Sequence, residues 1–230
     1  MNESVSVVIP AYQAASFIED ALQSVAAQTR TVQRIVVVDD GSTDGTSGVV
    51  TAWSDQHAVE VMLIKKANGG AGSARKVGLQ NTDSDLIMFL DADDRLRSAG
   101  VALLHQALNE APSALVAYGA MRTFVDDRQG ESAANKAVLA TGPVMLPSTS
   151  IFRRSAFEQI GHFGDDNFSA VDWFARLIEL GPTASASIPQ VVTERRIHAA
   201  NTSTSTKSSL GEYARMVKAS LDRRRAAGSK

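Results

Sequence analysis

A doubly wound α/β sheet with helices on both faces is the architecture this sequence predicts, and three observations carry that expectation. Short β-branched runs alternate with stretches of helical spacing through the first hundred or so residues. Acidic or Gly-rich loops follow the second, third and fourth of these runs, and in such sheets ligands bind at the carboxyl ends of the strands. The composition is that of an ordinary globular chain: 230 residues, 44% hydrophobic and 21% charged, which excludes intrinsic disorder and fibrous repeats. At roughly 100–200 residues per domain, this length accommodates one large domain or two small ones.

The elements follow in order. Val5–Ile9 is a β-branched run stopped by Pro10, which cannot donate to a sheet ladder. After the loop 11–15, Ser16 is placed to cap a helix with Phe17, Ala21 and Val25 on one face, ending near Gln28. Arg34–Val38 is a continuous apolar strand of the kind buried on both sides. Thr43 or Asp44 then opens a helix through Trp53, and Val59–Ile64 is the third strand. The Gly-rich loop Asn68–Ser73 leads into a helix to about Leu79, and Asp85–Leu90 is the fourth strand.

The second half is less regular. Val101–Leu108 is helical by spacing, and Leu115–Tyr118 and Met121–Val125 are strand-like. Residues 126–134 form a polar, Gly-containing loop. Ala170–Leu180 carries Phe174, Leu177 and Ile178 on one helical face and stops at Gly181-Pro182, and Val191–Ile197 is a last strand. Residues 202–209 look like a linker to a helix over 208–225 with a basic outer face. From Lys207 onward there are seven Lys/Arg against two Asp/Glu, so the overall net charge of −2 conceals a gradient.

Composition narrows the chemistry. With no Cys, thiol nucleophiles, disulfide scaffolds and Cys-ligated zinc are excluded, and any metal must sit on Asp, Glu or His. No apolar run approaches the roughly 20 residues that span a bilayer, and the first residues lack the features of a signal peptide. A cytoplasmic protein with no integral membrane segment and no nucleic-acid partner is expected.

Several residues are candidates for chemistry. In Asp91-Ala92-Asp93-Asp94, three carboxylates crowd the end of a buried strand, which suits a hard divalent ion together with hydroxyl groups. Taken alone, the triplet equally suits the acidic N-terminus of a helix over Leu96–Leu108. Asp39 and Asp40 open a second acidic turn, whose plainer role is an Asx turn capping the next helix. Asn68–Arg75 is not the dinucleotide fingerprint, because the glycine spacing fails; free N–H groups at a helix N-terminus, with Arg75 on the first turn, would still attract a diphosphate. Lys65 and Lys66 read as solvated strand-end charges. His198, after Arg195-Arg196-Ile197, is the imidazole best placed to join carboxylates around Mn²⁺. Asp172 reads by itself as an acid on the first turn of a helix.

Taken together and in order, Val5–Ile9 with Pro10-Ala11-Tyr12, Val36–Asp44, Ala74-Arg75 and Phe89–Asp94 resemble the family 2 glycosyltransferases of the GT-A fold. The resemblance continues through Arg153–Phe157, Ile160–Phe163, Val171-Asp172-Trp173 and Arg196–Asn201, covering about residues 4 to 203. It implies a Rossmann-like, mixed but mostly parallel sheet in a catalytic domain over 1–203. A nucleotide-binding half would span about 1–98 and an acceptor-binding half 99–203, followed by a basic helical tail over 204–230. It also implies sugar transfer from a nucleotide diphosphate, a UDP-sugar first of all, with inversion. The acceptor would be a saccharide, a lipid-linked molecule or a peptide.

By position, the resemblance assigns Pro10, Ala11 and Tyr12 to the base and ribose pocket and Asp40, with Asp39, to the nucleobase. Arg75 falls beside the pyrophosphate, and Asp91 with Ala92 faces the ribose or sugar. Asp93 and His198 would hold Mn²⁺ or Mg²⁺, and Asp172 corresponds to the base that takes the acceptor's proton. Val171 stands where the family commonly has an acid, and Lys76 where it often has Asn. A sugar-1-phosphate nucleotidyltransferase is the competing enzyme class, although its basic Gly-rich loop after the first strand is replaced by Pro10–Gln13. A binding module without catalysis is the third alternative. The basic tail either packs on the domain or contacts an acidic acceptor or a membrane surface, and a homodimer is compatible with all of these.

Overall fold

The computed structural model describes residues 3–125, 140–165 and 169–198. The elements run β1 (Val5–Ala11), α1 (Ile18–Ala26), β2 (Arg34–Asp39), α2 (Thr46–Ser54), β3 (Glu60–Lys65), α3 (Gly70–Gln80), β4 (Leu86–Phe89) and β5 (Arg95–Leu96). They continue with α4 (Gly100–Glu110), β6 (Val116–Val125), β7 (Ala140–Pro143), β8 (Ser150–Arg153), α5 (Arg154–Ile160), α6 (Ser169–Glu179) and β9 (Ser185–Ile197). Among the described residues they form a nine-stranded sheet ordered β3-β2-β1-β4-β8-β6-β9-β5, with β7 paired to β6. The β3-β2-β1-β4 part is parallel throughout, whereas β8 runs antiparallel to both β4 and β6. The sheet is therefore mixed, as the resemblance implies.

The two-residue period of the strands sorts the core into two faces. Val7, Ile9, Ile35, Val37 and Met88 pack with Ile18 and Leu22 of α1, Trp53 of α2 and Leu104 of α4. Val8, Val36, Val38, Ile87 and Phe89 point the other way, onto Leu79 of α3, Phe157 of α5 and Trp173 and Leu177 of α6. Because α1 and α2 cover one face and α3 the other, the winding direction changes beside β1. In open α/β sheets the crevice outside such a switch point is where ligands bind.

α3 lies unusually close to the sheet. A Cβ added at Gly78 would stand 2.2 Å from Val8 Cγ1, so glycine is what allows the helix to approach β1. On the same face, Phe89, Phe152, Phe157, Phe163 and Trp173 form a continuous aromatic cluster with ring centroids 5.3–6.2 Å apart, mostly edge-on or tilted. The Trp173 indole donates to the Gly161 carbonyl at 2.7 Å, which ties α6 to the end of α5.

Several boundaries differ from the sequence expectation, each for a local reason. α1 begins at Ile18, and its N-cap position is Phe17 with no side-chain cap bond, so Ser16 does not cap it. α2 begins at Thr46 because Gly45 takes a left-handed φ of 91°. Asp44 instead accepts from the Thr46 N–H and hydroxyl at 3.1 and 2.6 Å. The two strand-like runs around 115–125 merge into β6, which shifts register against β9 between Tyr118 and Met121. The last strand starts at Ser185, well before Val191. The expected loop over 126–134 and the basic helix over 208–225 lie outside the described residues.

Candidate active site

The loops after β1 and β2 are laced together. Gln13, with a left-handed φ of 51°, donates its N–H to Ser42 Oγ at 3.0 Å and accepts from the Thr43 N–H at 2.8 Å. The N–H groups of Ala14 and Ala15 reach Thr46 Oγ1 and Asp44 Oδ2 at 2.9 and 3.0 Å. Pro10 and Ala11, paired with Val38 and Asp39 of β2, are buried at the strand end, while Tyr12 is 55% exposed at the rim. An exposed aromatic on a braced loop is a surface on which a planar base can stack.

Asp39 and Asp40 are both buried, and the period of β2 sends them to opposite faces. Asp39 accepts from the Ser42 N–H at 2.8 Å and from the Ser47 hydroxyl. Burial pushes its carboxyl up, but the bonds from Ser42 and Ser47, helped by the Lys65 charge, outweigh burial and hold it below the usual carboxylate range. Asp40 pairs with Lys66 and accepts from the Gly69 and Gly70 N–H groups at 3.0 and 2.7 Å. Between the ends of β2 and β3, a cleft of about 190 Å³ is lined by Asp39, Ser42, Thr46, Ser47, Lys65 and Lys66 among others. That is below the ~300 Å³ at which pockets begin to enclose drug-sized ligands, so a nucleotide sugar would have to lie across the open rim.

At the end of β4 the acidic triplet splits into three environments. Asp91 accepts from Arg75 Nη2 at 2.7 Å. Asp93 Oδ2 stands 3.0 Å from His198 Nε2. Asp94 is buried and accepts from the Arg196 backbone N–H at 3.0 Å. Burial first, and then the charges of Asp91 and Asp93, push the Asp94 carboxyl well above its usual range. The Phe17 ring packs on the His198 imidazole with centroids 4.5 Å apart.

The Asp93–His198 pair passes a simple test for a divalent ion. Both side chains aim a donor atom at the same point, where they hydrogen-bond to each other at 3.0 Å, and carboxylate with imidazole is a donor set that Mn²⁺ accepts. Among the described residues no group of three His, Asp or Glu side chains is close enough to hold a metal by itself. Remaining positions would fall to ligand oxygens or water.

Asp172 occupies the first turn of α6 and pairs with Arg176, four residues on, at 3.2 Å. Arg176 also donates to the Ile160 carbonyl at 2.6 Å, and the adjacent Trp173 is fully buried. The buried Trp173 thus anchors the turn of α6 that carries Asp172.

The structure joins Arg75 to Asp91 and Asp93 to His198, and it gathers Pro10, Ala11, Tyr12, Asp39, Asp40 and Ala92 at the carboxyl ends of β1, β2 and β4. Three local expectations are corrected. The N–H groups of Gly69 and Gly70 are not free for a diphosphate, because Asp40 takes them, and Arg75 falls on the second turn of α3. Lys66 is a partner of buried Asp40 and not a solvated charge. The acidic triplet does not open a helix, since α4 starts only at Gly100 and β5 intervenes. Sequence reasoning does not single out Arg196: Val192 and Thr193 are both buried on β9, so strand alternation does not set it apart from Arg195.

The chain belongs to glycosyl transferase family 2, whose model matches residues 6–169. Asp172 and His198 lie beyond that segment. Among curated relatives, an uncharacterized glycosyltransferase of Nostoc sp. is 40% identical over 90 residues, 39% of this chain and 28% of that protein. The poly(ribitol-phosphate) β-N-acetylglucosaminyltransferase TarS of Staphylococcus aureus is 34% identical over 91 residues, 39% of this chain and 16% of that protein.

The matched segments therefore span well under half the length of these relatives. Among solved structures, S. aureus TarS 1–349 in complex with UDP-GlcNAc superposes with a TM-score of 0.71 at 18% identity, covering 94% of this chain and 65% of that one. The mannosyltransferase PcManGT of Pyrobaculum calidifontis in complex with GDP-Man and Mn²⁺ gives 0.68 at 23% identity, covering 87% and 59%. These likenesses show the fold. No helix among the described residues is long and apolar enough to cross a membrane.

Proposed function

We propose that the chain is an inverting glycosyltransferase that moves a sugar from a nucleotide diphosphate, most simply a UDP-sugar, to a saccharide, lipid-linked or peptide acceptor. The observation that carries the proposal is the convergence at the end of β4, where Arg75 meets Asp91 and Asp93 meets His198 beside the β1 and β2 loops. The complexes of the two structural neighbours with UDP-GlcNAc and with GDP-Man and Mn²⁺ support a nucleotide-sugar donor at such a site.

In the proposed reaction the acceptor oxygen attacks the anomeric carbon from the face opposite the diphosphate. The bond from that carbon to the diphosphate oxygen breaks, and its electron pair leaves with the nucleotide. Asp172 takes the acceptor's proton, and its carboxylate is ion-paired with Arg176. Tyr12, Pro10 and Ala11 seat the base and ribose. Asp40 holds the Gly69–Gly70 turn that borders them, and Asp39 braces the turn after β2. Arg75 moves its charge from Asp91 toward the departing diphosphate, and Asp91 is released to the ribose or sugar hydroxyls. Asp93 and His198 would hold Mn²⁺ or Mg²⁺, which when bound would add positive charge against the leaving group.

The test is ligand-induced stabilisation. UDP with Mn²⁺ should raise the melting temperature by mass action, by more than UDP alone, and Asp93→Ala should lose most of the metal-dependent part. No shift with UDP, GDP, dTDP or CDP, with or without Mn²⁺, would overturn the proposal.

A further inference from the structure

Arg196 is the largest charged side chain that the fold buries completely among the described residues. A buried cation is costly unless paired and hydrogen-bonded, and an apolar side chain of similar size commonly serves packing as well or better. What the guanidinium touches is therefore informative. Its Nη2 donates to Asp20 Oδ2 on α1 at 2.6 Å, and its Nε donates to the backbone carbonyl of Asp93 at 2.9 Å. Its plane lies over the Phe124 and Phe17 rings at 4.7 and 5.3 Å from the centroids.

Both arms of the Asp93–His198 pair converge on this one side chain. The Asp93 arm is gripped at its own carbonyl. Asp94, the next residue, is held by the Arg196 backbone N–H at 3.0 Å. Arg95, one residue further, shares Asp20 through a 2.6 Å ion pair. On the other arm, His198 lies two residues beyond Arg196, on the same side of the extended chain, and Phe17 packs against both. Fastening β9 to α1 would need only the Asp20 contact. The bond to Asp93's carbonyl adds control over the peptide from which the carboxylate projects.

We propose that Arg196, anchored by Asp20, is a positioning residue that holds Asp93 and His198 facing each other, ready to take a divalent ion between them. This rests on the assignment of that pair as metal ligands. Groups that orient ligands typically change metal affinity about 10- to 100-fold when removed.

The test uses the full chain. Mn²⁺ affinity is measured by electron paramagnetic resonance of free Mn²⁺ at saturating UDP, and UDP affinity by calorimetry in EDTA. For Arg196→Lys and Arg196→Met, the Mn²⁺ dissociation constant should rise at least about tenfold while metal-free UDP affinity stays within about twofold. Arg153→Lys is the control, because Arg153 makes a comparable ion pair with Glu3 near the start of β1. It should lower the melting temperature and leave Mn²⁺ affinity unchanged. If the Arg196 variants do not fold, Asp20→Asn takes their place, since Asp20 is partly exposed, and a rise of at least about threefold is expected. Unchanged Mn²⁺ affinity in the folded variants, or Mn²⁺ and UDP affinities falling together as in a general loosening, overturns the proposal alone. A wild-type chain that binds UDP but no Mn²⁺ overturns the metal assignment, and the proposal with it.

Discussion

Asp40→Asn isolates one carboxylate at the heart of the proposed donor site. The carboxylate is buried and receives three donors: Lys66 Nζ and the Gly69 N–H on Oδ1, and the Gly70 N–H on Oδ2 at 2.7 Å. An Asn of the same shape has a single acceptor oxygen. If that oxygen serves Lys66 and Gly69, the amide NH₂ faces the Gly70 N–H, donor against donor, and one part-buried N–H loses its partner.

Losing a charge-assisted bond costs about 1.5–3 kcal/mol, and a part-buried donor left unsatisfied adds toward the low end of the ~1–3 kcal/mol of a fully buried one. The bonds that survive are weaker, because the acceptor is now neutral. A total near 3 kcal/mol follows, which for a chain of this size lowers the melting temperature by roughly 6–12 °C. Differential scanning calorimetry reads it directly, and calorimetric titration with UDP should show weaker binding because the Gly69–Gly70 turn is no longer held. A melting temperature within about 2 °C of wild type would refute the claim that Asp40 is the keystone of that turn.

Other substitutions probe other parts of the account. Gly78→Ala drives a Cβ to 2.2 Å from Val8 Cγ1, so despite alanine's better helix propensity it should destabilise by ~1–2 kcal/mol in urea unfolding; a more stable variant would contradict the close packing of α3 on β1. The bonds from the Ser4 N–H and hydroxyl hold the Asp85 carboxyl below its ordinary 3.8. Because the folded-state value is depressed, this stabilisation is present above 3.8 and is lost as pH falls through the folded value. Asp85→Asn should therefore lower stability at neutral pH, with the difference from wild type closing below about pH 3.8; a gap that persists in acid would refute it. Asp172→Asn should keep donor affinity within about twofold and slow transfer by at least ~100-fold in a product assay, and unchanged transfer would remove Asp172 as the base.

The parallel half was legible because its signals are local. β1, β2 and β4 announce themselves as β-branched or apolar runs, and their two-residue period already divides the residues that meet α1 and α2 from those that meet α3. The second half resisted because its pairings are not local. β8, four residues long, sits antiparallel between β4 and β6, and β5 has two residues whose partners lie on β9 about a hundred positions away.

The same distinction governs the site. Asp91, Asp93 and Arg75 stand in contiguous motifs and could be singled out. That Asp40 would take the N–H groups of the Gly loop could not, because the partners are some thirty residues apart and nothing in either segment specifies the approach. Arg196 has the same local surroundings as Arg195, and what distinguishes it are contacts with Asp20 and Asp93, which lie far away in sequence.

The central claim is that the acids at the end of β4 and on α6 together break a nucleotide-sugar bond. The most direct measurement is release of UDP from intact UDP-sugars, which such enzymes can hydrolyse slowly without an acceptor. Wild type should release UDP in a manner that depends on Mn²⁺ or Mg²⁺ and is abolished by EDTA, with Asp93→Ala inactive. Binding of UDP without release from any nucleotide sugar, with or without metal and with acceptors of each proposed class supplied, would contradict the account and leave a nucleotide-binding module in its place.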